Sequence, residues 1–227
     1  MATFSFIFEG LNSFAEYSRN FKKIARVKFL DYKTVMKPID LQKAVEVIRR
    51  GGIVLHPTET CYGFAVDIFN EDALKKLYEL KGRDAAKPIS ILVSNLEMAK
   101  KFGLFSEKAI ELAEKYWPGP LTIVVPRSEN LPRFWNPGGD FVGIRCSSDD
   151  FSLGLVKGLG GPVTTTSANL SGAAPLYSAD IGVFGEKAEL IDCVVDSGKI
   201  AKNEPSTVVR VVGDEVEILR QGGLALC

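Results

Sequence analysis

The sequence is short of the residues that most often carry metal and covalent chemistry. It has one histidine, His56, and four cysteines, Cys61, Cys146, Cys193 and Cys227, far apart and with no C-x-x-C pair. That set is too sparse for a zinc site. Scattered cysteines of this kind read as reduced thiols in a cytoplasmic protein. His56 stands directly before Pro57, and no Ser-His-Asp or Cys-His arrangement is presented. Neither G-x-G-x-x-G nor G-x-x-x-x-G-K-[ST] occurs, which removes dinucleotide-fold and Walker-type phosphate sites. No apolar run approaches the ~20 residues that cross a bilayer. The 28 basic and 28 acidic residues cancel, so bulk electrostatics give no case for non-specific binding to nucleic acid or membrane.

What is present is ordinary globular material. A chain of 227 residues, 46% hydrophobic and 25% charged, can bury a full core in one generous domain, or in one domain with an appendage. Residues 1–35 differ from the rest: they are rich in Phe and carry Arg19, Lys22, Lys23, Arg26 and Lys28 in quick succession. They lack the basic, apolar and small-residue order of a secretory signal. Glu9, Glu16 and Asp31 count against an organelle transit peptide. The expected division is an N-terminal extension of unassigned role over 1–35 and a catalytic domain over 36–227, with Met36 as an alternative start.

From Met36 onward helix and strand alternate. Pro38 and Asp40 read as the approach and N-cap of a helix with Leu41, Ala44, Val45 and Ile48 on one face, stopped by Gly51 and Gly52. Strands are expected at 53–55 and 64–68, then a helix capped by Asn70 that buries Ala73, Leu74, Leu77 and Leu80. A strand at 89–93 precedes helices at 96–102 and, capped by Ser106, at 107–116. WPGP at 117–120 is a turn. Further strands are expected at 121–125, 141–145 and 163–166, and a hairpin at 207–212 and 216–220 turning on Gly213 and Asp214. The sum is a mixed α/β domain with an antiparallel C-terminal ribbon.

Polar residues gather at strand ends and turns. HPTETCYG (56–63) places Thr58, Glu59 and Thr60 after a buried strand, and taken alone it is an ordinary turn. KGRDAAKP (81–88) sets Lys81, Arg83 and Lys87 on a short loop. Such a run is usually a solvated face, yet it is also the right set to surround a triphosphate. VGIRCS (142–147) ends an apolar strand in Arg145, a surface residue or a fork for a carboxylate. VTTTSANLSG (163–172) crowds hydroxyls around Asn169, which suits phosphate and ribose oxygens or an ammonium group. EPSTVVR (204–210) and ILRQGG (218–223) add Ser206 and Arg220. With no nucleophile presented, the chemistry open to this set is group transfer between bound ligands, driven by positioning and electrostatics.

Taken in order, PTET-x-YG, K-G-R-x-x-x-KP, WPGPLT, V-G-I-R, SANLSG and PSTVV with a late LRQG resemble the YrdC-type threonylcarbamoyl-AMP synthase family over roughly residues 38–223. The resemblance implies an open twisted mixed sheet flanked by helices, with a concave basic face. It implies a cytoplasmic enzyme that joins L-threonine, bicarbonate and ATP, carried with Mg2+, into threonylcarbamoyl-AMP and pyrophosphate. Partner proteins then pass the group to adenosine 37 of tRNAs. By the same resemblance, Lys81 and Arg83 are catalytic cations, while Arg83, Lys87, Ser167, Asn169 and Arg220 bind ATP. Thr58, Thr60, Arg145 and Ser206 bind threonine, and the metal rides on the phosphates without protein ligands.

The chain departs from the family pattern in the Thr164-Thr165-Thr166 run and in CSSDD after Arg145, which lacks a proline often seen there. It also ends soon after LRQG, so the short form of the family is expected. Other readings are a carbamoyl-adenylate-forming hydrogenase maturation domain and an RNA-binding module. The first comes with zinc-finger cysteine pairs that this sequence does not have, and zero net charge weakens the second.

Overall fold

The computed structural model describes residues 41–84 and 87–226. The expected cap at Asp40 and the 1–35 extension lie outside the described residues. The first described helix, α1 (Leu41–Arg49), buries Ala44, Val45 and Ile48 and ends where Gly51 turns left-handed at φ 79°. Strands β1 (Val54–His56) and β2 (Gly63–Ala65) follow, paired antiparallel. Helix α2 (Glu71–Lys81) begins at Asn70, whose Oδ1 accepts from the Ala73 N–H at 2.9 Å. It stops at Gly82 in the left-handed region, with the Gly82 and Arg83 amides closing on Glu79 and Tyr78 carbonyls. This is a helix bracketed by its own side chains, and it delivers Lys81 and Arg83 at its C-terminal end.

Strand β3 (Ser90–Leu92), helices α3 (Leu96–Phe102) and α4 (Glu107–Tyr116), and strands β4 (Leu121–Pro126) and β5 (Phe141–Arg145) come next. The CSSDD segment then leads into α5 (Asp150–Leu159), capped by Asp149 Oδ1 on the Ser152 amide at 2.7 Å. Sequence reading did not anticipate this helix. After β6 (Val163–Ser167) comes a 3-10 segment over Ile181–Leu190, broken at Gly185, and a short β7 (Cys193–Val194). The ribbon of β8 (Thr207–Val212) and β9 (Glu215–Arg220) closes the order.

The described strands form one sheet in the order β7-β1-β2-β6-β3-β5-β4-β8-β9, with parallel and antiparallel pairs mixed. Alternation along the strands splits the core between its faces. Leu55, Phe64 and Ile91 pack with α2, α3 and α4 on one side, whereas Val54, Ala65, Leu92 and Val163 pack with α1 and α5 on the other. A Cβ on Gly154 would stand 2.6 Å from Leu41, and one on Gly158 would stand 2.7 Å from Val45, so bare backbone is what lets α5 close on α1.

β6 lies inside the sheet and pairs with β2 and β3 on its two edges. The extended strand expected at 64–68 is shorter because Thr164 intrudes into its ladder. The Thr164 hydroxyl donates to the Phe64 carbonyl at 3.0 Å and accepts from the Val66 amide at 3.0 Å. A buried hydroxyl thus takes over two backbone bonds at this point, which gives the extra threonine of the TTT run a structural use.

Candidate active site

The sheet's loops converge on a cavity of about 450 Å3. Its floor comes from the C-terminal part of β6, with Thr165, Thr166 and Ser167, and from Ser90 of β3 and Thr122 of β4. Thr60 and Cys61 enter from the β1–β2 turn, and Arg83 from the loop after α2. Arg145 enters from the end of β5, Ser206 from the start of β8, and Arg220 from the end of β9. The separate stretches of the sequence are therefore one place. Guanidinium groups from three elements share the lining with hydroxyls, and among the described residues no carboxylate is on it.

Each arginine is braced before any ligand arrives. Arg220 donates from Nη2 to the Ser206 carbonyl at 2.8 Å and to the Ser206 hydroxyl at 3.0 Å, and from Nε to the same carbonyl at 3.1 Å. Ser206 in turn shares a hydrogen bond with Thr122 at 3.1 Å. Burial, then the neighbouring Arg145 charge, push Arg220 below its ordinary value. Arg83 donates to the Pro88 carbonyl at 2.8 Å and the Lys87 carbonyl at 3.3 Å, which closes its own loop.

Arg145 is 6% exposed and donates from Nη2 to Glu59 Oε1 at 2.9 Å. Its contacts to the Thr60 hydroxyl are long, 3.4 and 3.5 Å, and its buried Nε finds no partner among the described residues. The Arg145 side chain thus borders the cavity with one buried N–H left unsatisfied among the described residues. Glu59 also accepts from the Ser147 hydroxyl and from the Ser148 amide. Burial acts to raise the Glu59 carboxyl, but Arg145 and the Ser147 hydrogen bond outweigh it and hold the group below the usual carboxylate range.

The remaining expected residues stand behind this wall. The Thr58 hydroxyl donates to the Cys61 carbonyl at 2.6 Å and shares a bond with Thr60 at 3.0 Å, so it shapes the turn and touches a small side hollow. Asn169 is the turn's interior brace: its Oδ1 accepts from the Ser167 hydroxyl at 2.7 Å and its Nδ2 donates to the Ala173 carbonyl at 2.6 Å. Lys87 is exposed beside the Arg83 loop and is not on the lining. Lys81 is not on the lining either. It is 1% exposed, and its ammonium donates to the Ser167 carbonyl, the Asn169 carbonyl at 3.1 Å and Asn169 Oδ1 at 3.0 Å.

Sequence reading missed Cys61, Tyr177, Asn203 and Pro205, which also line the cavity. Two hydrogen bonds show how the Asn203–Ser206 segment is held. Tyr62 donates its hydroxyl to the Gly198 carbonyl at 2.8 Å, and Asn203 Nδ2 donates to the Glu59 carbonyl at 2.8 Å. Only the PST of the later motif gave any signal for that wall. His56, left without a role, is buried, with Nδ1 2.9 Å from the Pro57 carbonyl; burial pushes its pKa down.

The model for the Sua5, YciO and YrdC proteins, described as telomere recombination, matches residues 46–222, and the chain belongs to this family. A threonylcarbamoyl-AMP synthase of Pyrococcus abyssi is 36% identical over 184 residues, 81% of this chain and 54% of that protein. This chain therefore spans about half the length of that relative. A threonylcarbamoyl-AMP synthase of Thiobacillus denitrificans is 34% identical over 166 residues, which is 71% of this chain and 86% of that one. The crystal structure of Pyrococcus abyssi Sua5 complexed with L-threonine superposes with a TM-score of 0.75 at 34% identity, covering 83% of this chain and 56% of that one.

Proposed function

We propose that this member of the Sua5, YciO and YrdC family is an L-threonylcarbamoyladenylate synthase, a nucleotidyltransferase that acts in tRNA threonylcarbamoyladenosine formation. The observation that carries the reading is the cavity in which Arg83, Arg145 and Arg220 share the lining with a row of hydroxyls. Relatives named threonylcarbamoyl-AMP synthase and a relative's structure with L-threonine support it.

The amine of threonine adds to CO2, derived from bicarbonate, and gives up a proton to form a carbamate. A carbamate oxygen then attacks the α-phosphorus of ATP as the bond to pyrophosphate breaks. Both partners are anions, so their approach requires cations around the non-bridging oxygens. In this reading Arg83 and Arg220 serve the phosphates, with Lys87 at the cavity's edge. The Ser167 hydroxyl, held by Asn169, forms part of the nucleotide edge. Arg145 offers its guanidinium to the threonine carboxylate, and Thr60 and Ser206 flank it, with Thr58 setting the turn. Mg2+ enters as MgATP; among the described residues the lining offers hydroxyls but no carboxylate, so the phosphates would carry it. The product passes to tRNA-modifying transfer proteins, which together with any direct contact to tRNA and a cytoplasmic setting belong to the same proposal. Among the described residues no helix is long and apolar enough to cross a membrane.

The test is pyrophosphate release from ATP by the purified protein, with mass spectrometry of the product. Release that requires both L-threonine and bicarbonate, with threonylcarbamoyl-AMP in the mixture, is expected. Equal turnover without threonine would overturn the proposal.

A further inference from the structure

Lys81 belongs to the K-G-R stretch whose arginine lines the cavity, yet its ammonium points to a different task. None of the ion pairs among the described residues includes it, and at 1% exposure it is removed from solvent. An ammonium has three N–H donors. Here they meet three oxygens, the Ser167 carbonyl, the Asn169 carbonyl and Asn169 Oδ1, all in the turn that follows β6. The backbone ties the same two segments, since the Ser171 amide donates to the Lys81 carbonyl at 2.8 Å. Asn169 Oδ1 is shared: it accepts from Lys81 and also from the Ser167 hydroxyl at 2.7 Å. The orientation of the Ser167 hydroxyl, which is on the cavity wall, is thus set through Asn169 by Lys81. For Nζ to reach a phosphate it would have to abandon these oxygens.

We infer that Lys81 is a positioning residue: its ammonium fixes the Ser167–Asn169 turn, and with it the hydroxyl edge of the nucleotide site, without contacting the phosphates. The inference rests on the nucleotide reading above. The ionisable groups acting on Nζ are Arg83 from the loop after α2 and Cys61 from the β1–β2 turn, while the Phe64 ring of β2 lies 5.9 Å away. No carboxylate is among them. Burial, then Arg83, push Lys81 down to about 7. A neutral amine has only two N–H groups for three acceptors, so the turn loses one of its bonds as pH rises through that value.

The experiment is steady-state kinetics with varied MgATP at saturating threonine and bicarbonate, comparing wild type with Lys81→Met across neutral pH. A positioning role predicts that Lys81→Met raises KM for ATP by roughly tenfold or more with kcat little changed. It also predicts that wild-type KM for ATP rises with pH beyond the dependence shown by Lys81→Met, a difference that cancels the titration of ATP itself. A fall in kcat at unchanged KM would overturn the inference and return Lys81 to the reacting phosphates. If the Met variant does not fold, Lys81→Gln, with two donors and no charge, takes its place, and the same split decides. Calorimetry of wild type with MgATP separates the two readings. A protein that binds no nucleotide at any pH sinks the proposed function, whereas one that binds with the pH dependence of the variant sinks this inference alone.

Discussion

Glu59 and Arg145 form a largely buried ion pair, Oε1 to Nη2 at 2.9 Å, with side chains 19% and 8% exposed; Arg145 is on the cavity lining and Glu59 stands behind it. Glu59 is the neighbour of Thr60 in the β1–β2 turn, and Arg145 ends β5, so the pair fastens two ends of the sheet's central region. It also leaves the Arg145 guanidinium partly neutralised, with Nε unpaired among the described residues. Replacing Glu59 by Gln removes one charge and leaves the other buried. A loss of roughly 3–5 kcal/mol in unfolding free energy is expected, read from urea denaturation at neutral pH.

The same pair predicts a pH response. The folded Glu59 carboxyl titrates below its ordinary value near 4.5. A carboxyl depressed by folding contributes stability above its unfolded value, and that contribution is lost as pH falls through the folded value. Wild type should therefore lose urea resistance below about 4.5 more steeply than Glu59→Gln, which has no such proton to take up. Parallel acid limbs for the two proteins would show that the pair adds nothing.

Arg83 offers a cleaner catalytic prediction, because it is on the cavity lining and its bonds are to its own loop. Arg83→Ala should lower kcat for pyrophosphate release by about 10²–10³-fold, the scale of losing one donor aimed at developing charge. Arg83→Lys keeps the charge but not the planar fork, and intermediate activity is expected. Unchanged turnover in both would make this loop a solvated face.

Gly222 carries a prediction of a different kind. A Cβ there would stand 2.0 Å from the Pro205 carbonyl oxygen and 2.7 Å from the Thr207 amide nitrogen. Gly222→Ala must therefore displace the segment that carries Ser206, at a cost of about 1–3 kcal/mol or more. A lower melting temperature together with a raised KM for substrate is the expected outcome, and a variant indistinguishable from wild type would contradict the close approach.

Local signals made much of the fold legible. Asn70 caps α2, Ser106 caps α4, and Gly213 with Asp214 turns the β8–β9 ribbon, all through short-range chemistry written in neighbouring residues. Helix α5 was hidden because Gly154 and Gly158 disfavour a helix when read alone, while their use is tertiary, as the seat for Leu41 and Val45. The 3-10 segment was hidden for a similar reason, with Gly182 and Gly185 inside it. At the site, Arg145 reads from sequence as a surface residue or a carboxylate fork with equal ease. Its partner Glu59 is fixed only by the fold. Tyr177 and Asn203 gave no signal, since nothing in their neighbours distinguishes a cavity wall from an ordinary loop.

The cavity draws on segments from Thr60 to Arg220, and no contiguous stretch holds enough of it to act. A growing polypeptide accordingly has no complete lining until Arg220 has been synthesised and β9 has zipped onto β8. Any occupant of the finished cavity would then oppose global unraveling by mass action.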